Sequence, residues 1–185
     1  AHIELNAIDL AFDIVARFGR AMPRAFVDDW VRIGGEEAEH FTLLADRLEV
    51  IGTHYGALPA HDGLWRSAMA TAHDLLARLA VVPLVLEARG LDVTPEMIGR
   101  LQRAGDADSA AILQRIYADE IGHVAAGSKW FHFCCAESNL VPQAAFKSAV
   151  ASHFSGAVKP PFNDSAREQA GLPPGFYLPV EPPAA

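Results

Sequence analysis

Two stretches of the chain, RIGGEEAEH (32–40) and RIYADEIGH (115–123), share an arginine, an isoleucine, an acid, a glutamate and a histidine in the same order. In each stretch the glutamate precedes the histidine by three places. These residues are Glu37, His40, Glu120 and His123. Positions three apart lie on one face of an α-helix, so each pair can point at one spot. The repeat predicts two helices that contribute matching pairs to one site.

A further glutamate stands 33 positions before each of these glutamates (37 − 4 and 120 − 87). The two residues are Glu4 and Glu87. The chain thus reads Glu, Glu-x-x-His, Glu, Glu-x-x-His, and its second half repeats the first after 83 positions (120 − 37). This order is typical of a duplicated helical hairpin, and two such hairpins around a pseudo-two-fold axis would bring all six residues together.

Four carboxylates and two imidazoles from four helices form the donor set of a site for two metal ions bridged by carboxylates. Iron, manganese and zinc all accept such ligands, and the carboxylate-rich set favours iron. Glu87 follows the apolar run VVPLVL, which argues against a solvated surface charge. Carboxylates buried there would be unfavourable without a cation. A surface-charge reading and a metal-free salt-bridge network are the two alternatives.

Apolar positions recur every three to four residues along most of the chain, which predicts helices and no strands. The predicted helices run from about Ile3 to Gly19, Pro23 to Gly52, Leu64 to Arg89, Thr94 to Ala104, Ser109 to Glu137 and Pro142 to Phe154. Pro83 is expected to kink the third helix and Gly90 to end it. The fold class is therefore an all-α, four-helix bundle with short accessory helices over residues 1–158. Residues 159–185, rich in proline, are expected to be an extended tail that packs on the bundle or on a partner in a homodimer.

The bulk composition excludes several function classes. The chain has 185 residues, is 51% apolar and carries a net charge of −8. It has no basic run, so a general nucleic-acid surface is not expected. The longest apolar run, Leu79–Leu86, is too short to cross a membrane. The adjacent cysteines, Cys134 and Cys135, form no disulfide framework and favour a reducing cytoplasm. The helical pattern is already present at Ala1, so we expect further residues upstream.

The sequence resembles the ferritin-like diiron-carboxylate superfamily. The stretches that carry the resemblance, beside the two motifs, are EARGLDVTP (87–95), DEIGHVAAGSKWF (119–131) and KPPFNDSAREQAG (159–171). They are similar to a bacterial ferritin-like family without an assigned function, over almost the whole chain. The tRNA-modifying diiron hydroxylase is a more distant relative of the same fold.

The resemblance implies a role for each site residue. Glu4, Glu37, His40, Glu87, Glu120 and His123 would bind two metal ions. Within that set, Glu37 and Glu120 would bridge the ions, while Glu4 and Glu87 would be terminal ligands. The acid before each motif would orient the histidine of the opposite motif, which pairs Asp119 with His40 and Glu36 with His123. Tyr117, one turn before Glu120, is expected either to line the site or to pack in the core.

The expected function is that of an O2-activating oxidoreductase or hydroxylase with an organic small-molecule substrate. A ferroxidase or peroxide-scavenging protein is one alternative, and a non-catalytic scaffold is another. Storage ferritins usually lack the second Glu-x-x-His of this chain, which favours the enzyme over storage. The acidic composition does not favour an RNA substrate. No catalytic side chain other than the metal ligands can be named from the sequence.

Overall fold

Every regular element in residues 1–178, the part that the computed structural model describes, is helical. The helices are α1 (His2–Phe18), α2 (Arg24–Val50), α3 (Gly63–Ala70), α4 (Leu75–Val81), α5 (Ala88–Arg103), α6 (Ala107–Glu137), α7 (Pro142–His153) and α8 (Asp164–Gln169). A 3₁₀ turn, Gly19–Ala21, follows α1, and a π-helical segment, Val82–Glu87, joins α4 to α5. The predicted all-α class is confirmed.

The helices pack as two hairpins that meet side by side. Helix α1 packs along α2, α5 packs along α6, and α2 contacts α6 between the hairpins. Their apolar faces form one core that includes Ile14, Ile33, Leu91 and Val124, all at most 2% exposed. Burial of these periodic apolar side chains stabilises the long helices more than helix propensity does.

The predicted third helix, Leu64–Arg89, is interrupted at a point where the sequence suggested no break. The chain leaves helical geometry after Ala70, and a new helix starts once Asp74 caps it, with Oδ1 accepting from the Ala77 amide at 3.0 Å. Such a cap satisfies an amide that the first turn leaves unpaired. At Pro83, where a kink was expected, the regular α-helix gives way to the π-helical segment, and proline cannot donate the backbone bond that a regular α-helix requires.

Two predicted helix boundaries in the second half are wrong. Gly90 does not end a helix and Pro95 does not begin one, because both lie inside α5. In isolation these residues would disfavour a helix interior by about 1 and 3 kcal/mol. Tertiary packing overrides that preference, since α5 buries Ala88 and Leu91 in the bundle and packs along α6.

Two glycines allow close approach of neighbouring helices. A Cβ atom on Gly34 would lie 2.9 Å from the Phe12 ring, so α1 crosses α2 closely there. A Cβ atom on the adjacent Gly35 would meet nothing within 4 Å, so only Gly34 of the pair lies at the close crossing. A Cβ on Gly127 would lie 2.4 Å from Cβ of Pro83, which places α6 directly against the π-helical segment.

We expect Gly127→Ala to destabilise the protein by about 1–3 kcal/mol, because the added methyl overlaps a rigid proline ring. Gly122→Ala on the same helix is the matched control. Its Cβ would meet nothing within 4 Å, so it should stabilise the helix by up to about 1 kcal/mol. Urea unfolding of both variants measures the difference, and equal stabilities would contradict the close contact.

The chain beyond α7 returns over the bundle. Helix α8 contacts α5 and α6, and Leu172 and Phe176 are almost fully buried in the common core. The predicted tail also includes residues 179–185, which lie outside the described range. No helix within residues 1–178 has both the length and the apolar character that crossing a membrane requires.

Candidate metal centre

The structure brings the six residues singled out in the sequence together inside the bundle. Helix α1 supplies Glu4, α2 supplies Glu37 and His40, the π-helical segment ends in Glu87, and α6 supplies Glu120 and His123. Four of them offer ligand atoms that all lie within 4.8 Å of one another: Glu4, Glu37, His40 and Glu120. This group of carboxylates and an imidazole could hold a metal ion.

Glu37 is the centre of the cluster and links its two halves. Its Oε2 lies 3.3 Å from Nδ1 of His40, and its Oε1 lies 3.0 Å from Nδ1 of His123. Glu4 Oε2 is 3.8 Å from the His40 Nδ1, and Glu120 Oε1 is 3.6 Å from the His123 Nδ1. Both imidazoles therefore turn Nδ1 toward the carboxylates. The exposed fraction of Glu37 is 1%, so water has little access to it.

The other ring nitrogens are held by acids from the opposite hairpin. His40 Nε2 lies 3.0 Å from Asp119 Oδ2, and His123 Nε2 lies 2.9 Å from Glu36 Oε2. The contacts are reciprocal, since α2 and α6 each provide one histidine and one acid. An Nε2–H donated to a carboxylate fixes the tautomer in which Nδ1 carries a free lone pair. Both imidazoles are in this way oriented for the cluster.

Glu87 reaches the cluster from the π-helical segment. Such segments are frequent at functional sites because they redirect a side chain relative to a regular helix. Its Oε2 is buried and has no hydrogen-bond partner within the described residues. Burial, together with the nearby charges of Glu120 and Glu37, raises the pKa of Glu87 to about 8.

The charges of the cluster shift the pKa values of its members in opposite directions. Burial acts to raise the pKa of Glu37, but its close contacts with the imidazoles of His123 and His40 outweigh burial and bring that pKa to about 2. Burial acts to lower the histidine pKa values, yet the surrounding carboxylates raise them to about 10 for His40 and about 11 for His123. Without a cation, both imidazoles are therefore protonated at neutral pH.

The pKa values of Glu4 and Glu120 are shifted as well. Burial raises the pKa of each carboxyl group, against the opposing effect of the neighbouring histidine. Three of the four glutamates thus bind protons more tightly than they would in water, because the acids crowd into a space with too little positive charge. The arrangement is one that a cation would relieve.

Tyr117, expected either to line the site or to pack in the core, has a hydrogen-bond partner outside the cluster. Its hydroxyl accepts a hydrogen bond from the Asn163 amide at 2.9 Å, and its ring packs against the core. Asn163 also donates its backbone amide to Asp92, which is bound by Arg167 at 2.7 Å. Sequence reasoning missed this set, although its members lie in the stretches EARGLDVTP and KPPFNDSAREQAG.

Comparison with known proteins identifies relatives along most of the chain. The profile of the family described as "Protein of unknown function (DUF455)" matches residues 1–178. A Haemophilus influenzae protein named "Uncharacterized protein" is 42% identical over 178 residues. The match covers 93% of this chain and 62% of that protein, so the chain spans less than two thirds of its relative's length. No solved structure matches.

Proposed function

Because the chain belongs to the family described as protein of unknown function (DUF455), we propose its function from the site: it binds two metal ions and acts as an O2-activating oxidoreductase on a small organic substrate. The observation that carries this proposal is the buried cluster of four carboxylates and two oriented imidazoles. Each half of the chain contributes two carboxylates and one imidazole, which supports one ion for each half.

Charge balance favours two ions over one. Four ionised glutamates carry four negative charges, and two divalent cations supply four positive charges while both imidazoles stay neutral. The neutral imidazole is the form that binds metals. A single divalent ion would leave two buried negative charges, which is strongly unfavourable in an apolar bundle. A metal-free network must instead keep protons on the histidines and on Glu87.

Atoms left without partners support the same assignment. Glu87 Oε2 is buried without a hydrogen-bond partner among residues 1–178, and His123 Nδ1, although 3.0 Å from Glu37 Oε1, makes no well-aligned hydrogen bond there. Buried polar atoms are nearly always satisfied in folded proteins, so each unpaired atom calls for an explanation. Both atoms belong to the proposed ligand set, and a bound cation would satisfy both. The residues present therefore fit a pair of metal ions.

Iron is the metal that we propose, with manganese or zinc as alternatives. Oxygen and imidazole donors suit all three, and the ferritin-like diiron proteins that the sequence resembles use the same donor set. Bound iron would supply the electrons that reduce O2. Asp119 and Glu36 would orient the histidine ligands. Glu37 is shielded from bulk water and links the two halves of the site through both of its carboxylate oxygens.

The experiment that tests this function is metal analysis with optical spectroscopy of protein purified without oxygen and then exposed to it. Two irons per chain and new near-ultraviolet absorption on exposure would support the proposal. Uptake of many irons per chain would favour an iron-storage role instead. No metal after careful reconstitution would favour a non-catalytic scaffold.

Metal binding is expected to release protons. At pH 7 the metal-free cluster holds protons on His40, His123 and Glu87, whose pKa values are about 10, 11 and 8. Two ions should displace about three protons, and apparent affinity should fall as pH is lowered because protons compete for the same atoms. Calorimetric titration in buffers of different ionisation enthalpy measures the number. His153→Ala, outside the cluster, should not change it, and uptake without proton release would contradict the assigned ligands.

Loss of one orienting acid should weaken the site without removing it. Asp119→Asn keeps the shape of the side chain but removes the charge that holds His40 Nε2. We expect metal affinity to fall about 10–100-fold, as is typical when such a partner is lost. Asp108→Asn, on the same helix and 82% exposed at its side chain, is the control. Competition with a coloured chelator measures both affinities, and equal values would argue against the orienting role.

A further inference from the structure

A cavity separate from the carboxylate cluster lies where the chain returns over the bundle. Its volume is about 160 Å³. One side is formed by the end of the π-helical segment and the start of α5, and the other side by residues 154–167. One wall is apolar and includes Val85, Leu86, Phe154 and Val158. At roughly 30 Å³ for each water molecule, the space corresponds to about five waters. It is therefore too large for a single bridging water.

Positive charge predominates among the polar residues that line this cavity. Arg89, Lys159 and Arg167 line it together with one acid, Asp92. The local balance is therefore +2 (three bases minus one acid), whereas the whole chain carries −8. Arg89 already donates to the backbone carbonyls of Lys159 and Pro161, so it is held at the rim by the returning chain. The local charge favours an anionic occupant.

Arg167 is the residue that points to a ligand. It is only 2% exposed, its Nε and Nη2 donate to Asp92 at 2.8 and 2.7 Å, and its Nη1 is buried without a hydrogen-bond partner in the described part of the chain. Its guanidinium lies over the rings of Tyr177 and Phe162, at 4.6 and 5.1 Å from their centroids. The group is thus immobilised while one of its nitrogens lacks an acceptor, which is unfavourable for a buried donor.

We propose that this cavity binds a small carboxylate with a short aliphatic chain. The carboxylate lies in the positive field of Arg89, Lys159 and the Arg167 guanidinium, all of which belong to residues that line the cavity. The aliphatic part packs on the wall that includes Val85 and Phe154. The volume limits the ligand to about five or six non-hydrogen atoms. Inorganic phosphate has the charge but no part that matches the apolar wall.

The site does not depend on the proposed metal centre. The residues that line it include none of the six residues of the cluster. Binding here is therefore measured on protein without added metal. Failure of the metal proposal would leave this experiment unaffected, and the reverse also holds.

Calorimetric titration of the full chain with sodium butyrate tests the proposal, with n-butanol and inorganic phosphate as comparison probes. We expect saturable binding of butyrate, at least 10-fold tighter than that of either comparison probe. Equal affinity for butanol would show that the charge is not recognised, and tighter binding of phosphate would show that the apolar wall is not used. Either result would overturn the assignment, as would the absence of saturable butyrate binding.

Variants locate the binding. Arg89→Gln and Lys159→Gln should each weaken butyrate binding about 5- to 10-fold, whereas Arg100→Gln should leave it unchanged. Arg100 lies on the same helix, 69% exposed at its side chain, and pairs only with Glu96 among the described residues. Arg167→Lys keeps a charge beside Asp92 but removes the guanidinium of a residue that lines the cavity, and it should weaken binding at least 10-fold while circular dichroism shows an intact helix content. Unchanged affinity in both Lys159→Gln and Arg89→Gln would overturn the proposal.

Discussion

Replacing either His123 or Glu120 by alanine is expected to abolish binding of two metal ions. Each change removes one ligand of the α6 pair, and His123 Nδ1 faces the cluster at 3.0 Å from Glu37 Oε1. The measurement is metal content after anaerobic reconstitution, which should fall from two ions per chain to fewer than about one, since structural metal sites rarely tolerate loss of a ligand.

Trp65→Phe is the control for this experiment. Trp65 lies on α3, is 39% exposed and is not a member of the cluster. Its variant should retain the full metal content of the unmodified protein. If the His123 and Glu120 variants also retained two ions, the proposed ligand set would be wrong, and the cluster would be better explained as a metal-free network of buried acids and imidazolium groups.

The largest expected effect on stability is that of Arg78→Met. Arg78 is 1% exposed, and its guanidinium donates to Thr71 Oγ1, to Asp13 Oδ2 and to the Ala68 carbonyl. The bonds tie the turn between α3 and α4 to α1. Methionine keeps much of the volume but removes all three donated bonds and the buried charge that faces Asp13, so we expect a loss of about 3–5 kcal/mol in the free energy of unfolding.

Arg17→Met provides a matched control, because Arg17 pairs with the same carboxylate. Its Nε lies 2.7 Å from Asp13 Oδ1, but its side chain is 34% exposed. A solvent-exposed ion pair of this kind contributes under about 1 kcal/mol. Urea unfolding of both variants gives the comparison, and similar losses for the two would show that burial of Arg78 has no special effect.

Local sequence patterns predicted much of this molecule. The i, i+3 spacing within each motif dictates that Glu37 shares a helix face with His40, and Glu120 with His123, whatever the rest of the fold does. The α6 helix, expected from Ser109 to Glu137, runs from Ala107 to Glu137. The metal-binding role of the six residues stays a prediction, although the structure brings them together.

The helices in the middle of the chain were less predictable. Gly90 and Pro95 look like helix boundaries because isolated helices disfavour them, yet both lie within α5. The decisive contribution is burial against α6. The helix propensity of a residue does not depend on the distant residues against which it packs, so this contribution could not be predicted from local sequence. The break at Thr71–Asp74 was missed for the same reason, since it is stabilised by Arg78, seven residues later.

By itself, the sequence determined the helical class, the long helices and the residues that share a face within each helix, because these depend on neighbours within one or two turns. Only the tertiary structure decided that α2 and α6 exchange His40–Asp119 and His123–Glu36 contacts, that the π-helical segment aims Glu87 inward, and that Gly127 receives Pro83. These features depend on the register between helices, which side chains distant in sequence set through close packing.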